Sequence, residues 1–214
     1  MKNIGKEEIT QVILQERLIA ILRNIKEEQL LKVMDVFEES GIKVAELTLN
    51  DPEAIRLLDM LTKRYSKNML LGAGTVTSVE AARLSVEAGA KFIVMPTMMP
   101  DVIRACKDLK VTVIPGAFSP TEIHQAYRLG ADIIKVFPAN SLGTSYFREM
   151  QGPMPEIPLA AVGGVTLENG RAFLEAGARA LGVGSSLTPR DILAKEDWLK
   201  LAELAKRFKE LVNK

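Results

Sequence analysis

The sequence has little of the two residue types from which many catalytic and metal sites are built. It contains one cysteine, Cys106, and one histidine, His124, among 214 residues. A single cysteine excludes a disulfide framework, which is typical of proteins in a reducing cytoplasm. A single histidine nearly excludes a histidine-based metal site or catalytic triad. We therefore expect a cytoplasmic protein without a histidine-based metal site.

Charge of one sign and long apolar runs are also lacking. There are 28 Lys and Arg against 27 Asp and Glu, a net charge of +1, so neither nucleic acid nor an anionic membrane is expected as a partner. No apolar run approaches the length of a membrane span, and the first residues lack the apolar stretch of a signal peptide. No G-x-G-x-x-G follows the first apolar run, which disfavours a dinucleotide-binding fold.

Short apolar runs alternate with amphipathic stretches along the whole sequence, and no linker divides it. Strands apolar on both faces, each followed by a helix, imply a parallel sheet covered by helices. Eight such units favour a closed α/β barrel, a (β/α)8 TIM barrel, over an open flavodoxin-like sheet. We expect one domain over 1–214, in which a helix within 1–16 closes the N-terminal end of a barrel formed by 17–214. The predicted strands are 18–22, 44–49, 70–74, 92–95, 111–114, 133–137, 159–162 and 180–183. The predicted helices are 5–15, 27–40, 52–65, 78–88, 100–109, 120–129, 146–150, 167–176 and 198–212.

Lys135 lies in the middle of a β-branched apolar run that is typical of a buried strand. Burial disfavours the charged ammonium, and a neutral amine is a nucleophile that can form a Schiff base with a carbonyl substrate. The alternatives are that Lys135 reaches water from a strand end, or that it pairs with a buried acid.

Strand parity gives this lysine a possible partner. Side chains alternate between the two faces of a strand, so Lys135 in the sixth strand and Glu46 in the second would both point into the barrel. A lysine and a glutamate facing one lumen near the active end of a barrel suggest a nucleophile and a proton shuttle. A buried structural ion pair is the alternative.

Glycine and serine follow the last two strands. Gly163 and Gly164 come after the seventh strand, and Gly184, Ser185 and Ser186 come after the eighth. The loops after these two strands commonly bind phosphate through backbone N–H groups and small hydroxyls. The position of these residues therefore predicts a phosphate-binding end of the barrel.

Two longer segments make the sequence similar to a known family. Residues 41–49 read GIKVAELTL around Glu46, and residues 130–143 read GADIIKVFPANSLG around Lys135. Shorter matching segments are 72–76, 115–122 and 163–165. On these segments the sequence resembles the aldolases that cleave 2-keto-3-deoxy-6-phosphogluconate and 4-hydroxy-2-oxoglutarate, over nearly its whole length.

The resemblance implies a reaction and a set of roles. The reaction is the cleavage of a small phosphorylated keto acid, 2-keto-3-deoxy-6-phosphogluconate, to pyruvate and glyceraldehyde 3-phosphate, by a homotrimer that needs no metal and no cofactor. Lys135 would form the imine with the C2 keto group, and Glu46 would shuttle protons through a water. The residues implied in substrate binding are Thr75 for the pyruvyl portion, Phe137 and Pro96 as pocket walls, and Gly163, Gly164, Gly184, Ser185 and Ser186 for the phosphate.

Three departures from the family pattern bear on the substrate. Asn50 stands where many members have an arginine that pairs with the substrate carboxylate, and Arg23, at the end of the neighbouring first strand, could supply that charge. Val162 replaces a threonine, and Thr97 follows Pro96 where Ser-Pro is frequent. An aldolase for the 6-phosphogalactonate epimer or for 4-hydroxy-2-oxoglutarate therefore stays open. So do a phosphosugar isomerase or epimerase, with Lys135 as an electrostatic clamp, and a non-catalytic phosphosugar-binding barrel.

Overall fold

The computed structural model describes residues 5–213. The first four residues of the predicted 1–16 segment, and Lys214, lie outside this range. The strands are β1 (Leu18–Leu22), β2 (Val44–Thr48), β3 (Leu70–Gly74), β4 (Phe92–Val94), β5 (Thr112–Ile114), β6 (Gly116–Ala117), β7 (Ile134–Val136), β8 (Leu159–Val162) and β9 (Ala180–Val183). The helices are α1 (Lys6–Glu16), α2 (Glu27–Glu39), α3 (Ala54–Tyr65), α4 (Val79–Glu87), α5 (Pro100–Asp108), α6 (Pro120–Arg128), α7 (Ala139–Met150), α8 (Gly170–Glu175), α9 (Arg190–Ala194) and α10 (Trp198–Asn213).

The strands form one parallel sheet that is nearly closed into a barrel. The order is β5-β4-β3-β2-β1-β9-β8-β7-β6, and each strand pairs in parallel with its neighbours in this order. The two ends of this order, β5 and β6, are consecutive in the chain and are separated only by Pro115, which has no N–H to donate. They are therefore two parts of one fifth strand, of which the predicted 111–114 covers only the first. The predicted eight-unit α/β barrel is confirmed.

The apolar side chains of the strands divide between the barrel interior and the layer under the helices, as strand parity predicts. Ile133 and Phe137 belong to the interior cluster, whereas Ile134 and Val136 belong to the cluster packed against the helices. Strand β2, which carries Glu46, divides in the same way. Val44 belongs to the interior cluster, whereas Ala45 and Leu47 belong to the cluster packed against the helices. Lys135 and Glu46 consequently face the lumen.

Helix α1 closes the N-terminal end of the barrel. Ile9 and Ile13 of α1 pack into the interior cluster. The ammonium of Lys6 lies 3.0 Å from the Asp132 carboxylate, whose other oxygen accepts a hydrogen bond from the Val113 N–H at 2.9 Å. The plugged end leaves the opposite, C-terminal end of the strands as the open one.

Three helices differ from the sequence prediction. The predicted segment 146–150 is the second part of α7, which begins at Ala139 and has a non-helical residue, Gly143, with φ 73° inside it. Helix α8 is shorter than the predicted 167–176. Helix α9 was not predicted, since its five residues after Pro189 are too short to show a period. Within residues 5–213 no helix has the length and apolar character needed to cross a membrane.

Candidate active site

A cavity of about 250 Å³ opens at the C-terminal ends of the strands. This is the end at which barrel enzymes place their active sites. Most of the predicted site residues line it, namely Arg23, Lys135, Phe137, Gly163, Gly164, Gly184, Ser185 and Ser186. The glycine loops and the buried lysine, which are far apart in the sequence, thus share one cavity.

Lys135 is almost fully buried in the middle of β7, with 4 % of its surface exposed. Desolvation by burial lowers the pKa of its ammonium, the nearby Glu46 carboxylate opposes this, and the positive charge of Arg23 adds to it. The Nζ atom lies 4.8 Å from the centroid of the Phe137 ring, above its face. The environment therefore favours the free amine, the form that attacks a carbonyl carbon.

Glu46 is 2 % exposed and enters the lumen from β2. Burial raises the pKa of its carboxyl group, and the charges of Lys135 and Arg23 act in the opposite direction. Four steps in the strand order separate β2 from β7, so the two side chains face each other across an eight-stranded barrel. Among the described residues no ion pair joins them, although they interact electrostatically. Lys135 and Glu46 therefore do not form the direct structural ion pair that was the alternative interpretation of the sequence.

The carboxylate of Glu46 rests against the backbone of β3. Gly74, the last residue of β3, has no side chain at the point where the carboxylate lies: a Cβ atom on Gly74 would be 2.5 Å from Glu46 Oε1. Thr75 follows with φ 59°, a value that is rare for a β-branched residue and that marks strained, frequently functional backbone. Three predicted site residues do not line the cavity themselves, namely Glu46, Thr75 and Pro96. Thr75 directly follows β3, and Pro96 lies two residues after the end of β4.

The loops after β8 and β9 form one side of the cavity mouth. Gly163 and Gly164 have φ values of 95° and 72°, in the left-handed region that favours glycine. The Gly184 carbonyl accepts hydrogen bonds from Leu187 N at 2.8 Å and Thr188 N at 3.0 Å, which folds the serine pair into a tight turn. Small residues and a turned backbone leave room for an anion to approach the main chain.

Arg23 lies at the end of β1 and is exposed to the cavity opening. The Thr48 hydroxyl donates a hydrogen bond to the Leu22 carbonyl at 3.2 Å, which ties the ends of β1 and β2 together just before Arg23. The positive charge of Arg23 acts to lower the pKa of both Lys135 and Glu46. Asn50, in contrast, is exposed and does not line the cavity.

Sequence reasoning missed Asn24, Thr188 and Arg190, which also line the cavity. Arg190 is the first residue of α9, and a positive charge is unfavourable at a helix N-terminus unless an anion binds nearby. Arg190 is visible in the sequence, but its place at a helix N-terminus could not be recognised because α9 was not predicted. Within the described residues no three His, Cys, Asp or Glu side chains lie close enough to hold a metal ion.

The nearly closed parallel sheet, with a cavity at the C-terminal ends of its strands, is the architecture of the (β/α)8-barrel enzymes. The sequence matches the family described as KDPG and KHG aldolase over residues 9–204, where KDPG is 2-keto-3-deoxy-6-phosphogluconate and KHG is 4-hydroxy-2-oxoglutarate. The chain belongs to this family, as its sequence motifs predicted. It is an aldolase, and aldolases are lyases.

Curated relatives and solved structures agree with this assignment. The chain is 32 % identical to the 2-dehydro-3-deoxy-6-phosphogalactonate aldolase of Escherichia coli, over 92 % of this chain and 96 % of the relative. It is 25 % identical to a 2-dehydro-3-deoxy-phosphogluconate aldolase of Haemophilus influenzae, over 97 % and 98 % of the two chains. The KDPG aldolase of Legionella pneumophila, solved with pyruvate captured as a covalent carbinolamine, superposes with a TM-score of 0.85 at 26 % identity, covering 92 % of this chain and 96 % of that one.

Proposed function

We propose that this protein cleaves 2-keto-3-deoxy-6-phosphogluconate to pyruvate and glyceraldehyde 3-phosphate through a Schiff base on Lys135. The observation that carries the proposal is the buried amine of Lys135, which faces Glu46 across the lumen without an ion pair between them. A purely structural lysine in such a place would need a direct partner. The capture of pyruvate as a carbinolamine in the Legionella pneumophila enzyme supports the same chemistry.

The chemistry begins at the C2 keto group of the substrate. The free amine of Lys135 attacks C2 to give a carbinolamine, which loses water to form the protonated imine. Glu46, acting through a water, takes the proton of the C4 hydroxyl as the C3–C4 bond breaks. The bond's electron pair moves into the imine and leaves an enamine of pyruvate on Lys135, while glyceraldehyde 3-phosphate departs. Protonation at C3 and hydrolysis then release pyruvate and restore the amine.

The two ends of the substrate have separate positions in this proposal. The phosphate lies against Gly163, Gly164, Gly184 and the serines that follow, where N–H groups and hydroxyls are available. The carboxylate pairs with Arg23. In many family members an arginine at the position of Asn50 has this role. The pyruvyl portion contacts Thr75, while Pro96 and Phe137 form walls of the pocket. The buried Lys135 lies deeper than both charged ends.

The galactonate epimer is a second candidate substrate. The identity of 32 % with the phosphogalactonate enzyme of Escherichia coli exceeds the 25 % and 26 % found with the two phosphogluconate enzymes. The two substrates differ only in the configuration at C4, the carbon whose hydroxyl loses its proton. Both would use the same lysine, glutamate and phosphate loops.

The test measures pyruvate release with lactate dehydrogenase and NADH. The two 6-phosphorylated epimers and unphosphorylated 4-hydroxy-2-oxoglutarate are supplied separately, and kcat/KM ranks them. Lys135→Arg is the control, because arginine keeps the charge but forms no imine. We expect release from a 6-phosphorylated substrate and none with the variant. Turnover by Lys135→Arg, or no pyruvate from any of the three, would refute the proposal and favour an isomerase or a binding protein.

We also infer a homotrimer, which the family resemblance implies, and a cytoplasmic location, with which the single cysteine agrees. Light scattering on the purified protein gives the mass of the assembly and compares it with the 23.5 kDa of one chain.

A further inference from the structure

We propose that Gly74 is a positioning residue for Glu46, because the missing side chain at position 74 is the space that the catalytic carboxylate occupies. A Cβ atom on Gly74 would lie 2.5 Å from Glu46 Oε1 and 2.9 Å from its Cδ. On its other side the same Cβ would lie 3.2 Å from Thr48 Cγ2. The inference rests on the proposed function, in which Glu46 moves protons during cleavage.

The strand register shows why this contact exists. Glu46 stands opposite Gly72 in the β2–β3 ladder, and Thr48 stands opposite Gly74. The Glu46 side chain nevertheless reaches Gly74, two residues further along β3, so it runs along the strands toward the open end of the barrel. A glycine at position 74 therefore leaves the space into which the Glu46 carboxylate extends in the direction of the open end.

Gly74 is required for space rather than for backbone freedom. Its φ lies outside the left-handed region, unlike those of Gly163 and Gly164. The φ of Gly74 would therefore not oppose an alanine. The added Cβ would press most closely on the Glu46 carboxylate, at 2.5 Å, and then on Thr48 Cγ2, at 3.2 Å, so a comparison in the Glu46→Asp background is needed to separate the effect on the carboxylate.

An alanine at position 74 would force the carboxylate to move. Ordinary contacts begin at 3.4 Å, so Oε1 must retreat by about 1 Å, a misplacement that can reduce a catalysed rate by about 100-fold. Oε1 is the far end of a flexible side chain, so the carboxylate, rather than the backbone of β3, is the part that would move. The proton-transfer path between Glu46 and the substrate would therefore lengthen.

The experiment compares kcat, KM and their pH dependence for the wild type, Gly74→Ala, Glu46→Asp and the double variant. Aspartate is one methylene shorter and withdraws the carboxylate from the new Cβ. We expect Gly74→Ala to lower kcat by about 100-fold with a smaller change in KM, and to shift the acidic limb of the kcat profile. In the Glu46→Asp background the same substitution should cost little, which gives a strongly coupled double-mutant cycle.

Gly72→Ala is the matched control. Gly72 lies on the same face of β3, and its Cβ would meet the Phe92 ring at 2.5 Å rather than Glu46. We expect this variant to lower the melting temperature without shifting the acidic limb of the pH profile. If Gly74→Ala fails to fold, its combination with Glu46→Asp should restore folding, because the clash is then removed.

Three results in solution would each overturn the inference: an unchanged kcat in folded Gly74→Ala, effects of Gly74→Ala and Glu46→Asp that simply multiply, or a double variant that stays unfolded. A crystal structure of Gly74→Ala with Glu46 unmoved would overturn it whatever the reaction is. Failure of the proposed function looks different, since the wild type itself would then release no pyruvate, and the catalytic reading of Gly74 would fall with it.

Discussion

Gly164→Ala should weaken catalysis on phosphorylated substrates while sparing an unphosphorylated one. A Cβ on Gly164 would lie 2.5 Å from Asn140 Cβ, at a φ of +72° that L side chains rarely adopt. The strain alone destabilises the fold by about 1–2 kcal/mol. The clash with Asn140 must in addition displace the loop that lines the cavity at Gly163 and Gly164. Loss of one charge-assisted hydrogen bond to the phosphate is worth about 1.5–3 kcal/mol, or about 10- to 150-fold in kcat/KM.

The assay follows pyruvate release from a 6-phosphorylated substrate and from 4-hydroxy-2-oxoglutarate, which has no phosphate. Gly41→Ala is the control, since Gly41 has a similar φ of +80° with open space around it and lies between α2 and β2, at the opposite end of the barrel. Gly41→Ala should lose only the stability that the backbone strain costs and should keep its activity. Gly164→Ala should lose more stability, because of the added clash, and should lose activity on the phosphorylated substrate only. An equal loss on both substrates would refute the assignment of this loop to the phosphate.

Three further outcomes follow from the same structure. Arg23→Ala should raise KM for all three keto acids, because each carries the carboxylate, and an unchanged KM would reject Arg23 as its partner. In the wild type, kcat should fall as the pH is lowered through the raised pKa of Glu46, because the base form is lost on protonation; Glu46→Gln should lower kcat by about 100- to 10,000-fold and remove that acidic limb. Asp132→Ala removes the partner of the Lys6 ammonium and the acceptor of the Val113 N–H. Urea unfolding should show a loss of about 1.5–3 kcal/mol in the free energy of unfolding, with kcat unchanged. An unaltered urea midpoint would show that this contact contributes nothing to the stability of the closed end.

The alternation of the sequence was sufficient to predict the barrel, because strands apolar on both faces can be buried only between helices and a lumen. The observed bounds of β1, β3, β8 and β9 agree with the predicted ones. The split of the fifth strand was not predicted: Pro115 is visible in the sequence, but whether pairing resumes after it depends on the neighbouring strand. The beginning of α7 was missed since Asn140, Ser141 and Gly143 are weak helix formers.

Local parity predicted that Lys135 and Glu46 share the lumen, because side chains alternate strictly along each strand. The absence of an ion pair between them could not be predicted, since it depends on where each side chain points along the barrel axis. Gly74 shows the same limit. A glycine at a strand end is visible in the sequence, but the side chain that fills its space comes from another strand.

The most direct test of the account is to trap the Schiff base. The protein is incubated with pyruvate, reduced with borohydride, digested and mapped by mass spectrometry, with Lys135→Arg treated in parallel. The account predicts one pyruvyl adduct, on Lys135, and none on the variant. A folded protein that gives no adduct, or an adduct on a different lysine, would contradict it.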